Sequence, residues 1–167
     1  MRRRITWPTV IPPTEYYFSP ARFFFIRLWV ECYLMESGGF WVVANSFVHA
    51  GQNKVTSLTI CVPKNKEDDS VQMTFSDKTV PIRVKLNLGE VAGLAKAVER
   101  GLEWRAHHTF NKEGKEMVTK MQYNNSFINA ERDGAKIALK LTPDEISSLE
   151  LTLKSIFQLM INRKCGV

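Results

Sequence analysis

The feature that most constrains the fold is a run of period-two alternation followed by a helical pattern, and this succession occurs twice. In residues 40–87, apolar and polar residues alternate in segments typical of strands with one buried face. The segments are Phe40–Phe47, Val55–Val62, Val71–Ser76 and Thr79–Asn87. Leu88–Arg100 then places apolar residues at helical spacing and ends before Gly101, which predicts a helix.

The second half of the chain repeats this pattern. The predicted strands are Glu103–Phe110, Met117–Asn124 and Lys136–Leu141. Residues 125–134 are polar and predict a loop that leaves room for one short strand around Phe127. Thr142–Arg163 predicts a long amphipathic helix, because Thr142 is a good N-cap and Glu145 completes a capping box.

The two junctions between the last strand and the helix carry the strongest internal similarity. Lys85–Leu94 aligns without gaps on Lys140–Leu149, and both contain Lys-Leu, a capping residue, Glu at the third helical position, a β-branched residue and Leu. A well-capped strand-to-helix junction favours these residue types in any protein, so a shared local requirement and a duplicated unit both explain the match. We expect an α+β fold with a duplicated antiparallel sheet-plus-helix unit, β-β-β-β-α twice.

Residues 1–39 differ from the rest of the chain. Four prolines precede Ala21 and break any helix there, and they also separate the basic start from the later apolar run, unlike in a signal peptide. Phe23–Met35 is apolar, but it contains Arg27 and Glu31 and falls short of the roughly 20 residues that cross a bilayer. We therefore expect no membrane partner.

Three interpretations of this segment remain open. It resembles an organellar transit peptide in being Arg-bearing and nearly free of acidic residues before Glu31. It could be an upstream extension, with translation beginning at Met35, or an added strand or helix on the domain. We expect an N-terminal segment at 1–39 and a single domain at 40–163.

Composition and charge restrict the class of protein. The chain has 23 Lys and Arg against 17 Asp and Glu, so its net charge is +6, which favours a polyanionic partner without proving one. Its three cysteines, Cys32, Cys61 and Cys165, are too scattered for a disulfide framework and indicate a reducing compartment. We expect a cytoplasmic or nucleoid-associated protein, and the transit-peptide interpretation keeps an organelle open.

Motifs for catalysis and metal binding are missing from the sequence. His107 and His108 are adjacent on a predicted strand and would point to opposite faces, and no cysteines have ligand spacing. The phosphate-loop, dinucleotide-binding and nucleophile-elbow motifs do not occur. The carboxylates of Glu67–Asp69 suit a solubilising turn. We expect no cofactor, no metal and no enzymatic activity, with an enzyme of unrecognised type as the third hypothesis.

The strand alternation also predicts a cationic sheet face. Apolar residues of the predicted strands face the helices, so their polar neighbours share the open side. Lys and Arg there would follow phosphates, and rings would stack on unpaired bases. The predicted binding residues are Trp41, Arg83, Lys85, Arg105, His107, Lys120, Gln122, Tyr123 and Lys136. A sheet face that is exposed only to solvent would also carry charged residues at alternate positions.

The element order and the matching junctions at 85–94 and 140–149 resemble the Whirly fold and the related transcriptional positive-coactivator fold. The resemblance covers about residues 40–163 and implies a non-enzymatic protein that binds single-stranded DNA or RNA with little sequence preference. The plant Whirly signature Lys-Gly-Lys-Ala-Ala-Leu is absent, and the nearest stretch, residues 134–139, lacks the leading lysine. The resemblance therefore implies a class of ligand and no individual contacts. The alternative is a protein-interaction or scaffold module.

The closing helix predicts self-association. Apolar residues cover more than one side of Thr142–Arg163, and a helix apolar on several sides must be buried on several sides. We expect a homo-oligomer, at least a dimer, formed through this helix. Symmetric assembly would strengthen weak single-strand contacts through avidity.

Overall fold

The computed structural model of this chain describes residues 41–52, 54–65, 67–77 and 81–166. Its first unit contains β1 (Trp41–Ala50), β2 (Val55–Pro63), β3 (Ser70–Ser76), β4 (Ile82–Asn87) and α1 (Leu88–Arg100). Its second unit contains β5 (Trp104–Lys112), β6 (Lys115–Asn124), β7 (Phe127–Arg132), β8 (Ala135–Lys140) and α2 (Pro143–Cys165). The α+β fold with a duplicated β-β-β-β-α unit is confirmed. The expectations for residues 1–39 lie outside the described residues.

Each unit forms its own antiparallel sheet. Sheet A has the order β1-β2-β3-β4 and sheet B the order β5-β6-β7-β8, so every strand pairs with its neighbour in sequence. β7 fills most of the polar stretch that the sequence predicted as a loop. It forms there because Ile128 and Ala130 point into the core while Asn129 and Glu131 point away from it.

Both helices begin at the predicted caps. The Asn87 side chain accepts a hydrogen bond from the Glu90 backbone at 2.9 Å, and Glu90 accepts one in return from the Asn87 backbone at 2.9 Å. Thr142 and Glu145 make the same reciprocal pair at 3.3 and 2.8 Å. Four backbone donors are satisfied in this way, which fixes where each helix leaves its sheet.

One hydrophobic core joins the two units. The inner faces of both sheets, defined as the faces that pack toward the helices, contribute to it together with the buried sides of α1 and α2. The Arg132 guanidinium also links the sheets, because it donates to the backbone carbonyl of Arg83 in β4 and to Thr119 in β6. Burial lowers the pKa of Arg132.

The first strand of each unit packs against the helix of the other unit. His49 in β1 contacts Glu145 of α2 at 2.9 Å, and His108 in β5 lies 3.0 Å from Glu90 of α1 without hydrogen-bond alignment. Each of these two contacts joins a first-strand histidine to the capping-box glutamate of the opposite helix.

The same crossing recurs one turn further along each helix. Asn45, four residues before His49, donates a hydrogen bond to Ser148 at 3.1 Å. Trp104, four residues before His108, packs closely on Gly93, and a Cβ added to that glycine would lie 2.9 Å from the indole Nε1. The two units therefore make matched contacts with each other's helix. Each helix packs on the first strand of the opposite sheet as well as on the shared core.

Candidate nucleic-acid interface

The outer face of sheet B, which points away from both helices, gathers most of the predicted binding residues. Residues directly opposite each other on neighbouring strands share a face of the sheet. One cross-strand row contains Arg105, Gln122, Asn129 and Ala138, and the next contains His107, Lys120, Glu131 and Lys136. Trp104 and Met121, at intervening positions, point inward. Five of the nine predicted residues thus form one surface.

The cations of this face are exposed, with few partners. Lys120 and Lys136 are exposed and form no ion pair with any residue that the structure describes. Arg105 pairs with Glu103 at 3.3 Å, and both of those side chains are more than half exposed. A pair this exposed contributes little to stability and can be exchanged for a phosphate.

Three carboxylates moderate the charge of the face, and one of them, Glu116, is exposed opposite Asn111 at its far end. Glu131 lies between Lys120 and Lys136 in the same cross-strand row. Glu103 accepts a hydrogen bond from Asn124 at 2.9 Å in addition to its contact with Arg105. The face is therefore a mixed surface with an excess of cations.

Sheet A carries three of the other predicted residues and offers a different surface. Arg83 and Lys85 are exposed on the outer side of β4, and Lys85 Nζ lies 5.0 Å from the centre of the Trp41 ring. β4 and β1 are the two edges of this sheet, about 14 Å apart at about 4.8 Å per strand spacing. Two side chains that meet across this distance must lie over β2 and β3, where Cys61 and Gln72 are buried.

The sequence did not predict this separation. Arg83 and Lys85 do not adjoin the sheet B residues on one open face, because they belong to the other sheet. The ring of Trp41 is half-buried, so it exposes less of its surface than a free stacking ring would. Alternation within a strand places a side chain on a face, but it does not tell which sheets share that face.

Tyr123 was predicted as an exposed stacking ring, and this placement is wrong. Its side chain is 1% exposed on the inner face of sheet B, opposite Trp104 and Ile128. Its hydroxyl donates to the Asn125 carbonyl at 2.8 Å, and burial raises the pKa of the phenol. Tyr123 supports the turn between β6 and β7 and cannot reach a ligand on the outer face.

Two further residues belong to this surface and were not predicted from the sequence. Phe127 and Lys140 face each other across β7 and β8 on the outer side, with Lys140 Nζ 5.8 Å from the ring centre. Phe127 is 47% exposed. Recognising β7 would have revealed both, because Asn129 pairs with Gln122 and so places Phe127, two residues earlier, on the same face.

A second surface feature lies beside α2. An open groove of about 540 Å³ runs between this helix and the bulge of β1 at Ala44, and it is lined by Ser148, Leu151 and Ser155 among others. Leu151 is 66% exposed. Most of the residues that line the groove are small, and none of them is a lysine or an arginine.

Comparisons with protein-family models, with curated proteins and with solved structures found no match for this chain. Among the described residues, no three His, Cys, Asp or Glu side chains are grouped closely enough to hold a metal ion. No helix in the described ranges is both long and apolar enough to cross a membrane. The function is therefore inferred from the geometry of the outer face of sheet B.

Proposed function

We propose that this chain binds single-stranded nucleic acid, DNA or RNA, on the outer face of sheet B. The observation that carries the proposal is the shared exposure of Arg105, Lys120 and Lys136 on one sheet face, with Gln122 and Asn129 in the same row as Arg105. Exposed cations release counterions from phosphates, and amide side chains can donate to or accept from any base edge. Affinity should be largely electrostatic and tolerant of sequence.

The shape of the face supports an unpaired ligand. Both helices lie on the inner side of the sheets, so neither can enter the major groove of a duplex that approaches this face. A flat sheet with cations and side-chain amides can instead contact bases that are already unstacked. The resemblance to the Whirly and coactivator folds predicts the same class of ligand, and it stays a prediction.

Fluorescence anisotropy with labelled oligonucleotides tests this proposal. Equal lengths of single-stranded DNA, single-stranded RNA and duplex DNA are titrated with the full chain at several salt concentrations. We expect tighter binding to a single strand than to the duplex, and an affinity that falls steeply as salt rises. Equally weak binding to all three ligands would refute the proposal.

The groove beside α2 favours a second candidate function, a protein-interaction or self-association module. Most of the apolar stripe of α2 is buried within the chain, as at Leu149, Leu153 and Met160. Leu151 and Leu159 remain exposed and are the residues through which an oligomer would form. Light scattering on the wild type and on Leu151→Lys tests this, since a dimer that persists in the variant would exclude this surface.

A further inference from the structure

We propose that Phe127 is the platform on which an unpaired base stacks, and that Lys140 holds the adjoining phosphate. This inference rests on the proposed function and adds to it a requirement for bases. A surface of cations alone would accept any polyanion. A ring beside a cation selects a ligand that has both a flat base and a phosphate.

Phe127 is placed at one end of the cationic face. It lies directly opposite Asn124 on β6 and Lys140 on β8, so all three side chains share the outer face. Side chains two residues apart on a strand are about 7 Å apart, which puts the Gln122–Asn129 row next to the ring and the lysine row beyond it. A strand stacked at Phe127 would therefore continue over amides and then over cations.

The backbone that carries the ring is held in position by the turn before it. Asn125 adopts a left-handed backbone with φ of 55°, and its carbonyl accepts the buried Tyr123 hydroxyl at 2.8 Å. The Ser126 carbonyl accepts a hydrogen bond from the Leu141 backbone at 2.7 Å, which fixes the turn to the start of α2. A backbone that is already ordered at the ring adds little ordering cost to binding.

Phe110 is the natural comparison, because it is a second exposed phenylalanine beside a cation. It is 38% exposed, but it belongs to the inward-pointing positions of β5, opposite Met117. Arg132, 5.2 Å from its ring, already donates to Thr119 and to the Arg83 carbonyl. Lys140, in contrast, forms no ion pair with any described residue.

Sheet A lacks this arrangement at the matching position of the repeated unit. Lys85 corresponds to Lys140 in the repeated junction, and the residue opposite Lys85 is Gln72, where sheet B has Phe127. Gln72 is buried and Lys85 lies against Trp41. The duplicated units therefore differ at this position, and sheet B alone presents an exposed ring beside a cation there.

The test compares Phe127→Ala with Phe110→Ala on two probes, an oligothymidylate and an abasic phosphodiester of the same length. We expect Phe127→Ala to weaken binding of the oligothymidylate about 5- to 150-fold, the equivalent of about 1–3 kcal/mol for one stacked base. Binding of the abasic probe and the salt dependence should not change. Phe110→Ala should leave both probes unaffected. Circular dichroism and the milder Phe127→Leu variant check that the fold is intact.

Three results would overturn the inference. Phe127→Ala could bind the oligothymidylate as tightly as the wild type, it could lose both probes equally, or Phe110→Ala could be the variant that loses the base-bearing probe. In each of these cases the proposed function still holds if the wild type prefers single strands to duplex and its affinity falls with salt. A wild type without that preference refutes the proposed function itself, so the two failures are distinguishable.

Discussion

Removing two cations from the outer face of sheet B should weaken the salt dependence of binding by a calculable amount. The face presents Arg105, Lys120, Lys136 and Lys140. Each phosphate that is neutralised on a single strand contributes about 0.7 to the slope of log affinity against log salt, so the wild type should show a slope of about −3. The double variant Lys120→Gln, Lys136→Gln should show a slope of about −1.4.

The difference is large enough to measure by anisotropy. Between about 50 and 200 mM salt, the wild type should lose roughly 50-fold in affinity and the double variant roughly 7-fold. Both lysines are exposed and without ion pairs among the described residues, so we expect the unfolding free energy to change by less than about 0.5 kcal/mol.

A matched control comes from the other sheet. Arg83→Gln with Lys85→Gln removes the same charge from exposed positions of β4 in sheet A. This variant should keep the wild-type slope, because the path of the ligand runs over sheet B. An unchanged slope in the sheet B variant, or an equal reduction in the sheet A variant, would refute the reasoning.

Three further predictions follow from individual contacts. Glu131→Gln removes the carboxylate between the two lysines and should tighten single-strand binding about fivefold at low salt, whereas weaker binding would place the strand elsewhere. Burial opposes ionisation of Glu145, but hydrogen bonds from its N-cap backbone and from His49 outweigh it and lower its pKa. Its contribution to stability is thus present above about pH 4.5 and lost as the pH falls further, so denaturant unfolding of Glu145→Gln should depend less on acid than that of the wild type. Gly93→Ala would place a Cβ 2.9 Å from Trp104 Nε1 and should cost about 1–2 kcal/mol in urea unfolding despite the gain in helix propensity; a stabilised variant would contradict this packing.

Much of the fold could be predicted because local rules and tertiary packing agree. Leu88–Arg100 forms a helix at the predicted boundaries, since Asn87 caps its start and Gly101, with φ of 63°, ends it. β7 was harder to recognise, because only Ile128 and Ala130 point into the core and polar residues surround them. The packing of each first strand on the helix of the other unit has no recognisable pattern in the sequence.

The candidate site could be predicted only in part for a related reason. Period-two alternation places Arg105, Lys120 and Lys136 on the side away from the core, and the structure agrees. The alternation does not show that Arg83 belongs to a separate sheet. The same alternation places Tyr123, one residue after Gln122, on the inner face, so the prediction of Tyr123 as a stacking ring went against the pattern itself.

The central claim is that the outer face of sheet B is where a single strand binds, and amide chemical-shift mapping tests it most directly. A single-stranded oligonucleotide is titrated into the isotopically labelled chain while backbone amide signals are followed. The largest shifts should occur around Arg105, Lys120, Phe127 and Lys136, which share that face. Shifts centred on β4 or on the groove at Leu151, or no shifts at all, would contradict the claim.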